Sequence, residues 1–164
     1  MADDLHKLEA ASQTDLYERD YLAWTEVQAR ALRARTGGEN ALDYDNLAEE
    51  IEDLGKSEYR ACESQIENIL EHLLKIEFVG PMQTIPHWRK ELRQFRRDLN
   101  RRLTLTIENR LRPDTAEAFE DVLKGLVTGG MIKSVDDVTG IRAGYDWAEI
   151  IDRDWYPEPR YGEA

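Results

Sequence analysis

Apolar positions recur every three or four residues over most of the chain, the mark of helices that bury one face. The first run places Tyr17, Tyr21, Trp24 and Gln28 on one row, with Val27 and Ala31 beside it. Thr14 or Asp15 can cap it, and Gly37-Gly38 ends it after Arg33 and Arg35, whose charges suit a last turn. A second helix, with Asp43 as its cap, is predicted from about residue 44 to Phe78, ahead of Gly80-Pro81. Its stripe is Leu47, Ile51, Leu54, Cys62, Ile66, Ile69, Leu73 and Ile76, interrupted by Glu58. Gly55 lies within it at a cost of about 1 kcal/mol against alanine, so it marks a close helix crossing or a local break. One long helix and two shorter ones both fit this pattern.

A third helix starts at Thr84-Ile85-Pro86 and is expected to stop at Pro113. Trp88, Leu92, Phe95, Leu99, Leu103, Ile107 and Leu111 form its predicted buried stripe, and Arg89, Lys90, Arg93, Arg96, Arg97, Arg101 and Arg102 lie on its other faces. Asp114 caps a shorter fourth helix through Ala118, Val122 and Leu126 to Gly129-Gly130. Beyond it, Gly140, Gly144, Pro157 and Pro159 allow one short helix near residues 145–151. MIKSV has no second strand to pair with, so a sheet is not expected. The fold class is therefore all-α: a single-domain helical bundle of four or five helices with an irregular C-terminal segment. Residues 1–13 read as a flexible arm, 14–157 as the helical domain and 158–164 as a tail. Trp147, Trp155, Tyr156 and Tyr161 predict that the C-terminal segment docks, since aromatic residues in a polar stretch usually anchor it.

Charge changes this picture more than composition does. The 164 residues carry a formal charge of −12, from 22 basic and 34 acidic groups. Residues 81–112 nevertheless hold 9 basic and 3 acidic groups, between acidic segments on both sides. The overall acidity argues against a general nucleic-acid binder. Cys62 is the one cysteine, which excludes an intrachain disulfide framework and a cysteine-built zinc site. There is no apolar run of membrane-spanning length, and the first ten residues lack the pattern of a secretory signal, so a cytoplasmic protein without membrane association is expected.

The segments LYERDYLAWTEVQARALRA, LDYDNLAEEIEDLGKSEYRACESQIENILEHLLKIEF and HWRKELRQFRRDLNRRL together resemble the bacterial domain-of-unknown-function family twenty-nine, known mainly from cyanobacteria and proteobacteria. The resemblance spans roughly residues 14–157. It implies a helical fold and carries no catalytic or binding residues. Family members often show an ETGL-like stretch and then a proline-cysteine segment, where this chain reads VTGGMIKSVDDVTGIRAGYDWAEII, so a role for that cysteine would be missing here. DRDWYP still resembles the usual closing segment.

Glu58, Gln65 and His72 sit seven apart, close to one line along the second helix. Glu58 and His72 are about 21 Å apart on a straight helix and cannot share an ion. A metal at His72 would need Glu71, Glu67 or a ligand from another helix, with His87 as a further candidate. No Glu stands three residues before either histidine, so the di-iron bundle pattern is absent. The ordinary role for a lone core-side histidine is structural hydrogen bonding. Cys62 on the apolar stripe reads as a buried thiol, and GLVTGGM lacks the Lys-Ser/Thr ending of a phosphate loop. No cofactor is predicted.

Arg89, Arg93, Arg96 and Arg97 form the candidate interaction ridge. With no catalytic set assembled, a non-enzymatic protein-interaction or oligomerising module is expected, bound to a protein partner or to another copy of itself. Two alternatives stand beside it. One is a metal-binding protein or enzyme using His72, His87 and bundle carboxylates, and the other is a nucleic-acid accessory factor acting through the basic helix 86–112.

Overall fold

Asp20 divides what the periodicity presents as one first helix. In a computed structural model, which describes residues 15–35 and 42–160, residues 15–19 are helical and the backbone leaves helical geometry at Asp20 (φ −148°, ψ 81°). It re-enters as α1 (Tyr21–Arg33), with the Asp20 carboxylate accepting from the Ala23 N–H at 3.2 Å. An aspartate here satisfies a first-turn donor that would otherwise be unpaired. Thr14, Gly37-Gly38 and the expected arm at 1–13 lie outside the described residues. The other long elements are α2 (Tyr44–Phe78), α3 (Ile85–Arg102) and α4 (Leu105–Thr128). A 3₁₀ turn at Met82–Thr84 precedes α3, and the short helices α5 (Asp136–Thr139) and α6 (Trp147–Ile151) follow α4. There is no strand among the described residues, so the protein is all-α.

Two compact units make up the chain: residues 1–61 with 104–108, and residues 62–103 with 109–164. In the first unit, a Cβ on Gly55 of α2 would lie 2.2 Å from Thr25 Oγ1 and 3.0 Å from Leu22 Cδ1 of α1. Gly55 therefore marks a close helix crossing, and α2 runs through it unbroken. The buried positions here are Asp20, Leu22, Thr25, Ala29, Ala48, Gly55 and Ile107. Leu47 and Leu54, expected in the core, are 39% and 52% exposed. The small residues take the crossing because the two backbones approach so closely, which turns the neighbouring leucines outward.

The second unit has a conventional apolar core: Ile66, Ile69, Leu70, Leu73, Leu74 and Ile76 of α2 are buried, with Leu92 and Leu99 of α3 and Leu111, Phe119 and Leu123 of α4. Cys62 is buried and takes part in no disulfide. The expected third helix is corrected in length. It ends at Arg102, Leu103 turns extended (ψ 114°), and α4 then runs through Pro113. Thr104 makes the break, its Oγ1 accepting from Ile107 N at 3.4 Å, while Asp20 Oδ2 accepts from Thr106 N at 2.9 Å. These bonds satisfy the first-turn donors of a new helix. Pro113 deprives the Asn109 carbonyl of its donor, but Asn109, Arg112, Pro113 and Asp114 all face solvent, where water can replace it.

Candidate functional site

The faces of α3 have different tasks. Leu92, Arg96 and Leu99 are spaced by four and three and share its buried row, so Arg96 is an interior residue and not part of a surface ridge. Its Nε donates to Ile150 O at 2.8 Å, Nη1 to Trp155 O at 2.7 Å and Nη2 to Glu149 O at 2.5 Å. Two of these carbonyls close α6, where the last turn leaves acceptors unpaired and a cation is favoured. Burial lowers the guanidinium pKa to about 10, which still leaves it charged at neutral pH.

Arg89 and Arg93 flank the same tail. Arg89 is half-buried with its guanidinium 4.9 Å from the centre of the Tyr156 ring, and Arg93 Nη2 donates to Tyr156 Oη at 3.4 Å. Of the four arginines proposed from sequence, only Arg93 and Arg97 stand exposed. With Lys90 they form the cationic part of a shallow concavity of about 510 Å³, and His87, Glu91 and Gln94 complete its lining. All six residues belong to α3.

At that face the two candidate histidines converge. His72 Nε2 lies 3.0 Å from Glu91 Oε2, and His87 Nε2 lies 3.4 Å from the same oxygen. His72 Nδ1 meets Asn68 O at 2.8 Å, and its ring stands edge-on to Phe95 with centroids 5.0 Å apart. The buried His72 ring is thus held at both nitrogens by oxygens, one from the backbone of its own helix and one from α3. The carboxylates named from sequence are elsewhere: Glu71 pairs with Lys75, and Glu67 lines a groove against α4. Among the described residues no group of three or more His, Cys, Asp or Glu is arranged to hold a metal ion. Glu91 escaped the sequence reading, although its place four residues after His87 was the available signal.

A second unforeseen cluster holds the C-terminal segment. The Glu77 carboxylate, 1% exposed, accepts from Tyr145 Oη at 2.9 Å and from Arg160 Nε at 2.8 Å. Arg142 Nε lies 2.9 Å from it as an ion pair without hydrogen-bond alignment, and Arg142 Nη1 donates to Glu149 at 3.1 Å. Burial, reinforced by the Glu77 charge, pushes the Tyr145 phenol well above its ordinary value. These residues come from segments 65 or more positions apart from Glu77, and no local pattern announces them. The aromatic tail is docked as expected at Trp155 and Tyr156, while Tyr161 lies outside the described residues.

An all-helical architecture with a basic helix clasping its own C-terminal segment is the class that fold and site define. The chain belongs to the family described as domain of unknown function DUF29, whose model matches residues 16–156. It is also similar to a crystal structure of an alpha-helical protein of unknown function from Rhodospirillum rubrum ATCC 11170, with a TM-score of 0.64 and 24% sequence identity. That similarity covers 84% of this chain and 90% of the other, and it shows the fold. No curated protein matches the chain significantly. No helix among the described residues is long and apolar enough to cross a membrane.

Proposed function

We propose that this protein is a non-enzymatic interaction module of the cytoplasm that docks an acidic protein surface on the Lys90–Arg93–Arg97 face of α3. One observation carries the reading: every residue lining the concavity at that face comes from α3. Lys90 and Arg97 make no hydrogen bond or ion pair among the described residues, which leaves both cations available to a partner. Exposed pairs contribute about 0–1 kcal/mol each, so the face selects and orients a partner more than it supplies affinity.

The test is a photo-crosslinking amino acid placed at Gln94, between the cations, in the full chain expressed in cells. Adducts to one protein that vanish when Arg93→Glu and Arg97→Glu are added support the reading. Adducts to nucleic acid, or protein adducts that ignore the charge reversal, overturn it.

A further inference from the structure

The second unit also carries a feature of opposite charge. Between α2 and α4 runs a groove, first a stretch of about 260 Å³ floored by Ile66 and Leu111, then one of about 370 Å³ that shares Glu67 and passes Gly125 and Gly129. The glycines leave room because they put no side chain into it. Glu63 and Glu67 stand along the α2 wall, and Asp114, Glu117 and Asp121 along the α4 wall. Lys124 pairs with Asp121, whereas Glu63, Glu67, Asp114 and Glu117 make no hydrogen bond or ion pair among the described residues. Carboxylates along both walls of a groove suit the basic face of a helix and not a small anion.

We propose that the occupant is the Lys90–Arg93–Arg97 face of α3 from a second copy of this chain, an assignment that rests on the docking role proposed above for that face. The two surfaces are complementary. Lys90, Arg93 and Arg97 are spaced by three and then four, and Asp114, Glu117 and Asp121 have the same spacing. Each set spans seven residues, about 10.5 Å along its helix, so the two sets match in length as well as in sign. The net charge of −12 opposes self-association, but charges farther apart than about 8 Å are largely screened at physiological salt, while contact pairs over an apolar floor are screened less. Ridge and groove are different surfaces, so each copy presents both halves of the contact.

The experiment is sedimentation velocity of the full chain over a concentration series in 0.15 M salt, roughly one Debye length of 8 Å. Wild type is expected to self-associate. A ridge variant (Arg93→Glu with Arg97→Glu) and a groove variant (Glu67→Lys with Glu117→Lys) are each expected to associate at least tenfold more weakly. All four positions are exposed, and circular dichroism verifies folding. A milder pair, Glu67→Gln with Glu117→Gln, serves if the reversal fails to fold and is expected to weaken association by a smaller factor. Mixing the ridge and groove variants is expected to restore association, because the reversed ridge of one then meets the reversed groove of the other. A monomeric wild type, a groove variant or its milder substitute that associates as wild type does, or a mixture without rescue overturns the assignment. In any of these cases crosslinks from Gln94 to a different acidic protein would leave the docking role of α3 standing, so the two readings fail separately.

Discussion

Arg96 of α3 donates from Nε to the carbonyl of Ile150 at 2.8 Å, so the last turn of α6 hangs on a guanidinium from 54 residues earlier in the chain. The same side chain reaches the carbonyls of Glu149 and Trp155, and no neutral side chain offers donors in that fork. Replacing it with methionine keeps the apolar stem and strands three acceptors. With a buried unpaired acceptor costing about 1–3 kcal/mol, and the guanidinium's own desolvation relieved, Arg96→Met is expected to destabilise the protein by about 3 kcal/mol. Arg96→Lys recovers part of this, since an ammonium cannot serve the same three carbonyls. Urea unfolding gives the magnitude, and tryptic cleavage at Arg153 reports whether the tail is released first. Equal protection of the tail in wild type and Arg96→Met would sink the account.

Tyr145 and Glu77 set an alkaline limit. Burial, then the Glu77 charge, hold the Tyr145 phenol above its ordinary value of 10.0. A group whose folded pKa is raised contributes stability below its unfolded pKa and loses it as pH climbs toward the folded value. Stability should therefore be level with respect to this group up to about pH 10 and decline above it, by up to about 1.4 kcal/mol per pH unit. Tyr145→Phe loses a hydrogen bond to a charged acceptor, about 1.5–3 kcal/mol at neutral pH. Its gap from wild type should then narrow above pH 10. Chemical denaturation at pH 8, 10 and 11 measures both curves, and a constant gap across them contradicts the assignment.

The periodicity of the chain already contains the long α2, the apolar core of the second unit and the proline-led start of α3, because each follows from local spacing. What it misassigns is decided by partners distant in sequence. Pro113 looks like a terminator until its solvent-facing position is known, and Thr104 looks unremarkable until Asp20 is brought to Thr106. Leu47 and Leu54 satisfy the stripe by hydrophobicity, yet the closeness of α1 gives the interior to Ala48 and Gly55. Arg96 falls on the Leu92–Leu99 row, but nothing local shows that three carbonyls await it there. At the site, both histidines were visible in the sequence, and their common partner Glu91 was reached only through packing.

Asp20 joins two helix starts through one carboxylate. It accepts from Ala23 N, Thr104 Oγ1 at 3.0 Å and Thr106 N. Burial acts to raise its pKa, and the hydrogen bonds from Thr106, Ala23 and Thr104 outweigh it, leaving the carboxyl below its ordinary value of 3.8. A depressed carboxyl contributes stability above its unfolded pKa and loses it as pH falls through the folded value. Asp20→Ala should cost about 2–4 kcal/mol at pH 7, combining a lost cap with charged hydrogen bonds. Because part of that contribution requires ionisation, the difference from wild type should shrink below pH 4. Thermal unfolding at pH 7 and pH 3 tests it, and an unchanged difference would mean the carboxylate charge plays no part.

Gly55 tests the crossing of α1 and α2 most directly. Alanine there gains about 1 kcal/mol of helix propensity. Against this, its Cβ would stand 2.2 Å from Thr25 Oγ1. That hydroxyl has little freedom to withdraw, because it is fully buried and donates to Leu22 O at 2.8 Å. Leu22 Cδ1 closes another side at 3.0 Å. Overpacking of this kind costs about 1–3 kcal/mol when the neighbours must shift, so the clash is expected to outweigh the propensity gain. Gly55→Ala should therefore be net destabilising, by up to about 2 kcal/mol. The paired substitution Gly55→Ala with Thr25→Ala removes the obstructing hydroxyl and should restore most of that loss, leaving the propensity gain partly exposed. Urea denaturation of the two single variants and the double variant measures the coupling. Additive effects would show that Thr25 is not what forbids a side chain at position 55.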